Sequence, residues 1–188
     1  MLTGLRLGAL HFGVASGAML LAFLSCEGIH EVTHLWLHHV MPHMHAVFLP
    51  FGVLILLGWV YGWLMVPLAL PAALLSAYWA VGSGGMTGAI VAITAAKVLS
   101  VPLAFSMFRV MGQDVRGEGG AANWRCVVMV GLFASVLGNL PRAVLGPLGA
   151  DTVAEAARAM LTATSADMAG LIFVMLVAML FFRLARHA

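Results

Sequence analysis

The chain has 188 residues, of which 63% are hydrophobic and only 9% are charged. Ordinary soluble domains carry roughly 25% charged residues, so this composition indicates a membrane protein and excludes a soluble domain of any size. The formal net charge of +2 is the difference between nine basic and seven acidic residues. The basic residues are scattered along the chain and form no patch that would indicate a nucleic-acid partner.

Apolar runs divide the chain into membrane-spanning segments. Each crossing needs about 20 apolar residues, so residues 1–188 have room for about six crossings in a single domain. The runs predict an all-α polytopic bundle with spans at about residues 7–26, 47–65, 66–81, 86–110, 126–145 and 166–182. Residues 151–162 are predicted to form a separate, short amphipathic helix before the last span.

Small side chains in the first span predict a smooth face for close approach by another helix. This face consists of Gly13, Ala15, Ser16, Gly17 and Ala18. The junction of the second and third spans carries Pro67 and Pro71, which favour a tight hairpin at that point.

The positions of the arginines predict the orientation, because cytoplasmic segments of membrane proteins are enriched in Lys and Arg. Most of the arginines occur in three places, which are Arg6 near the start, the loop 109–125 and the tail 183–186. Placing these segments inside puts both termini in the cytoplasm. Residues 27–45 and 151–162 then face the outer side, and we expect a bacterial inner membrane protein.

The segment 27–45, EGIHEVTHLWLHHVMPHMH, holds six of the eight histidines. On a helix, one stripe of this segment contains Glu27, His30, Glu31, His34 and His38. Imidazole and carboxylate ligands suit a divalent metal ion, so His30, Glu31, His34 and His38 are the predicted site for zinc or copper. The alternative is an interfacial helix without a ligand, whose charge changes with pH.

Residues 30–34 read His-Glu-Val-Thr-His and match the H-E-x-x-H pattern of zinc proteases. In that pattern the two histidines bind zinc and the glutamate activates water. A later acidic ligand would be needed, and Asp167 is the only carboxylate within a predicted span that can serve. A segment so rich in histidine matches this pattern easily by chance. A membrane metalloprotease is therefore an alternative hypothesis, and no catalytic residue is assigned.

Apart from Arg109 at the cytoplasmic end of the fourth span, three charged residues fall within the predicted spans. An ionised side chain is expensive there, so it marks a binding site, a charged partner or a water-filled cavity. Lys97 lies near the middle of the fourth span. Arg142 and Asp167 lie near the outer ends of the last two spans, and their opposite charges predict an ion pair. Lys97, Arg142 and Asp167 are the candidate ligand-binding residues.

Short motifs from Val47 onward carry a family resemblance. Pro50-x-Gly52, then Gly58-Trp59 and a proline-bearing hairpin, resemble the membrane-associated sensor domains that precede bacterial histidine kinases and diguanylate cyclases. The run 167–170, Asp-Met-Ala-Gly, is similar in kind. The resemblance implies a membrane sensor that signals through another membrane or signalling protein.

The prediction is therefore an inner-membrane protein without catalysis, which senses or binds a ligand or metal ion from the outer side. One alternative is the substrate-binding component of a transporter for a small solute or metal ion. Met44-His45 before Phe48 resembles the nickel and cobalt subgroup of such components. The metalloprotease is the other alternative.

Overall fold

The computed structural model describes residues 2–37, 47–82, 84–113, 115, 124–145 and 153–185. Within these ranges the chain forms six α-helices and one short 3-10 turn, Gly62–Leu64, and it contains no β-strand. The helices are α1 (Leu2–Leu37), α2 (Leu49–Tyr61), α3 (Met65–Val81), α4 (Gly88–Val110), α5 (Trp124–Leu145) and α6 (Val153–Ala185). The prediction of an all-helical fold is confirmed.

Among the described residues, five helical segments are long and apolar enough to cross a membrane. They are Gly8–Ile29, Leu49–Val81, Gly88–Val110, Trp124–Arg142 and Val153–Phe181. The second of these joins α2 and α3 through the 3-10 turn and has 33 residues, whereas one crossing needs about 20. Length and apolar character thus indicate an integral membrane protein.

Two helices extend beyond the spans predicted from the apolar runs. α1 continues through the first part of the histidine-rich segment to Leu37, and α6 joins the predicted amphipathic helix to the last span. The helix expected over residues 151–162 is therefore present from residue 153, but its separation from the last span is wrong. The physical reason is that residues 153–169 contain neither proline nor glycine, so nothing in this stretch ends a helix.

Helix α2 runs antiparallel to α1. Near one end of the pair, the Cys26 thiol donates a hydrogen bond to the carbonyl oxygen of Val47 at 3.1 Å. Near the other end, Nδ1 of His11 lies 2.9 Å from the hydroxyl oxygen of Tyr61. Between residues 47 and 61 the chain therefore runs back along α1.

The chain reverses again between α2 and α3. Gly62 ends α2 with a φ of 58°, a left-handed value that favours glycine. After this turn, the Ser16 hydroxyl of α1 donates to the carbonyl oxygen of Leu68 at 2.8 Å. Pro50, at the start of α2, and Ala80, at the end of α3, line the same cavity. The two helices are thus the opposed arms of a hairpin.

Helix α2 is the centre of the bundle because it packs against each of the other five helices. Most of its residues are buried, among them Phe51, Leu54 and Ile55. The outer helices contact one another in the order α1, α3, α4, α5, α6. In the described part of the chain, no α-carbon of α6 lies within 8 Å of an α-carbon of α1 or α4.

Glycines allow α2 and α6 to approach closely. The Phe48 amide donates to the carbonyl oxygen of Ala166 at 3.0 Å. A Cβ atom added to Gly52 would lie 2.7 Å from the carbonyl oxygen of Gly170, and one added to Gly170 would meet the carbonyl group of Phe48. These two glycines therefore supply the small-residue contact typical of membrane helices.

The small face predicted in the first span is only partly used. Ala15 is fully buried and Ser16 makes the hydrogen bond to α3. By contrast, Cβ atoms added to Gly13 or Gly17 would have no neighbour within 4 Å. The close approach expected at these glycines is wrong because they lie on the open side of α1.

Candidate ligand-binding cavity

A cavity of about 260 Å³ lies where α2 begins and α3 ends, and every helix contributes to its lining. Its apolar wall includes Met19, Phe23, Leu54, Ala73, Ile93 and Val98. Among the described residues, its polar lining consists of Ser76, Thr94, Lys97, Arg142 and Asp167. The three charged residues singled out from the sequence thus line one cavity.

Asp167 of α6 is the most deeply buried charged group at the cavity, with an exposed fraction of 1%. Its Oδ1 accepts a hydrogen bond from the Lys97 ammonium at 2.7 Å. Its Oδ2 accepts one from the Ser135 hydroxyl at 2.7 Å and one from the Asn139 amide at 2.9 Å. Three donors, one of them charged, suit an ionised carboxylate.

Helix α5 presents the two neutral donors from one side. Ser135 and Asn139 are four residues apart, so they lie one turn apart on the same face. The Asn139 amide also donates to the Ser135 hydroxyl oxygen at 3.2 Å. Gly138 faces α4 so closely that an added Cβ would lie 3.2 Å from the Lys97 α-carbon. The glycine therefore lets α5 pack directly beside the lysine.

Lys97 reaches from α4 towards α6, and its side chain is 17% exposed. Its ammonium nitrogen lies 4.6 Å from the ring centre of Phe48 and 5.5 Å from that of Phe51. Aromatic faces stabilise a desolvated cation at such distances. The lysine is therefore held by one carboxylate and two rings at the boundary between the protein core and the cavity.

The predicted pairing of Arg142 with Asp167 is wrong, because the ion-pair partner of Asp167 is Lys97. Arg142 follows Asn139 by about one turn of α5 and has an exposed side chain that lines the cavity. The arginine thus lies nearer the open end, while the carboxylate is enclosed by α4 and α5.

Sequence reasoning did not assign Ser135 or Asn139 to the site. The sequence signal for them was two hydrogen-bonding side chains one turn apart within the otherwise apolar stretch 126–141. Phe48 was also missed, because an aromatic residue beside apolar ones reads as ordinary packing. The charged side chain that Phe48 contacts depends on how α2 and α4 are arranged.

The predicted metal site falls largely outside the described side chains. Residues 30, 31 and 34 lie on α1, so the helical register assumed for them is present, and Glu31 is exposed. The side chains of His30 and His34, and all of His38, lie outside the described part. Among the side chains that are described, no three His, Cys, Asp or Glu residues form a metal-binding group. The zinc or copper site therefore stays a prediction.

The arrangement of Asp167 bears on the protease alternative. Both of its oxygens are engaged, by Lys97 on one side and by Ser135 and Asn139 on the other. A zinc ion bound at Oδ1 would lie beside the Lys97 ammonium, whose positive charge would repel it. The geometry at Asp167 therefore favours a fixed charge over a metal ligand.

Comparison with protein-family models, with curated proteins and with solved structures found no match. The resemblance to membrane-associated sensor domains accordingly stays a prediction based on short motifs. The proposed function therefore rests on the cavity and its charged residues.

Proposed function

We propose that the chain is a six-span protein of a bacterial inner membrane that binds a small ligand from the outer side, without catalysis. The observation that carries this proposal is an ion pair, Lys97 with Asp167, beside a cavity of about 260 Å³. Protein interiors are close-packed, and ionised groups within a membrane are expensive. A purely structural ion pair needs no open space next to it, whereas a binding site does.

The directions of the helices support six crossings and an outer cavity. Reversals at the turn after α2 and between the later helices give alternating directions along the bundle. Arg109, Arg125 and Arg183 then lie near the end opposite the cavity, together with the start of α1. Since Lys and Arg are enriched on the cytoplasmic side, this end is the inner one.

The polar groups of the cavity favour binding over catalysis. The Ser76 hydroxyl donates to the carbonyl oxygen of Ala72 at 2.9 Å, and Asp167 accepts from three donors. An activated serine nucleophile donates its hydrogen to a general base, whereas the Ser76 hydroxyl donates to a backbone carbonyl. Here the hydrogen bonds hold the charges in place, which suits recognition.

A ligand in this cavity has a direct way to change the bundle. Lys97 connects α4 to α6, although the described backbones of these helices stay more than 8 Å apart at their α-carbons. Contact between a ligand and Lys97 would alter this connection. Both helices end at the proposed inner end, so a sensor could pass the change to a signalling partner. A transporter component would instead release the ligand, and it would co-purify with an ATPase module.

Cysteine accessibility tests whether the cavity admits a small solute. In a chain with Cys26 and Cys126 replaced by alanine, we expect Thr94→Cys, within the cavity, to react with small methanethiosulfonate reagents added from outside. Adding Ala77→Phe, which fills the cavity, should slow this reaction. Ala92→Cys is the matched control, because Ala92 is an exposed residue of the same helix that does not line the cavity. A Thr94→Cys thiol that no reagent reaches would overturn the proposal.

A further inference from the structure

We infer that the cavity takes a small amphiphilic anion, whose carboxylate or phosphate group binds between Arg142 and Lys97 and whose short apolar body occupies the rest. This inference rests on the proposed ligand-binding function. It adds the chemical class of the ligand, and it follows from the charge, the donors and the size of the cavity.

The charge of the lining favours an anion. Its described charged residues are two cations, Lys97 and Arg142, and one anion, Asp167. An excess cation in a site with low-dielectric walls attracts an anionic ligand. The exposed fraction falls from the exposed Arg142 to 17% for Lys97 and 1% for Asp167. An anion entering the cavity therefore meets the arginine first and the lysine next.

The donors around Asp167 allow Lys97 to be shared. A lysine ammonium has three donors, and the described hydrogen bond to Asp167 uses one of them. The other oxygen of Asp167 accepts from Ser135 and Asn139, and neither of these bonds involves Lys97. The carboxylate thus remains solvated by two donors when the lysine turns towards a ligand. This explains why a buried ion pair is supplemented by two neutral groups.

The size and the wall of the cavity limit the rest of the ligand. A volume of 260 Å³ is slightly below the range of about 300–1,000 Å³ for pockets that hold drug-sized molecules. The small side chains of Ala73, Ala77 and Ala80 leave this space open, and Met19 and Phe23 cover it. An apolar body of a few carbons fits, whereas a whole two-chain lipid does not. The anion is therefore either a free short-chain acid or the headgroup of an anionic lipid together with the carbons next to it.

Equilibrium binding of radiolabelled octanoate tests this inference. The protein is placed in phosphatidylcholine nanodiscs, and empty nanodiscs give the background. We expect saturable binding that octanol and octylamine do not displace at equal concentration. Arg142→Gln should weaken the binding about tenfold or more, as expected for a lost charge-assisted hydrogen bond. Arg158→Gln, an exposed arginine outside the lining, should change it less than about twofold.

The source of the anion follows from a second set of nanodiscs. If phosphatidylglycerol lowers octanoate binding, the site takes an anionic headgroup; if it does not, the ligand is a free acid. Equal displacement by octylamine, an unchanged affinity in Arg142→Gln, or no saturable binding would overturn the inference. In that case a reactive Thr94→Cys in the same preparation would still support a ligand cavity, so the two failures are distinguishable.

Discussion

Lys97 of α4 and Asp167 of α6 meet at 2.7 Å, between helices whose described α-carbons do not approach within 8 Å. The side chains, rather than backbone packing, therefore join these two helices. The partners differ in burial, since Asp167 is 1% exposed and Lys97 is 17% exposed. Their removal should consequently have unequal effects.

Lys97→Met should destabilise the protein strongly, because it leaves the buried carboxylate of Asp167 without its counter-charge. Losing one partner of a buried ion pair costs about 3–5 kcal/mol in soluble proteins. Asp167→Asn should cost less, since the more exposed lysine can reach the cavity. The measurement is the thermal unfolding midpoint of each purified variant in one detergent.

The double variant Lys97→Met with Asp167→Asn supplies the control. It should be more stable than Lys97→Met alone, because neither charge is then left unpaired. If the two single effects simply add, the ion pair does not stabilise the bundle.

Single charges in the spans could be predicted from sequence, but their pairing could not. Lys97, Arg142 and Asp167 stand out because each interrupts or borders an apolar run. Which cation faces Asp167 depends on how α4 and α5 are rotated about their axes. That rotation is set by contacts such as Gly138 against α4, which a single sequence does not display.

Helix ends show the same limit. The apolar runs predicted the helical core of each segment, yet they separated residues 151–162 from the last span because the polarity changes there. Backbone continuity follows from the lack of helix-breaking residues, not from polarity. Close packing was likewise expected at Gly13 and Gly17, but it occurs at Gly52 and Gly170.

Gly170→Ala should disturb the contact between α2 and α6. The new methyl group would meet the carbonyl group of Phe48, which belongs to the backbone and cannot move aside easily. Overpacking of this kind costs about 1–3 kcal/mol. Gly17→Ala is the matched control, since an added Cβ there has no neighbour within 4 Å. We expect a lower unfolding midpoint for the first variant only, and equal midpoints would contradict the close packing.

Metal content tests the predicted site of His30, Glu31, His34 and His38. If the stripe binds zinc or copper, protein purified after exposure to the metal should hold about one ion per chain, because four such ligands complete a tetrahedral site. The combination of His34→Ala with His38→Ala should lose it. His11→Ala is the control, because His11 lies beside Tyr61 at the other end of α1. Equal metal content in the unmodified protein, the double variant and His11→Ala would rule out this metal site.

The six-span topology is tested by single cysteines in a chain without Cys26 and Cys126. Leu64→Cys lies in the exposed turn between α2 and α3, and Gly84→Cys lies between α3 and α4. If both arms of the hairpin cross the bilayer, an impermeant thiol reagent applied to intact cells should label position 84 but not position 64.

Gln113→Cys, exposed after α4, should behave like position 64, because the next crossing returns the chain to the inner side. A permeant reagent should label positions 64 and 113, which would show that the thiols at these positions are reactive. If Leu49–Val81 instead crossed once, positions 84 and 113 would exchange sides. Labelling of position 113 in intact cells would therefore place the cavity on the inner face and remove the proposed access for an external ligand.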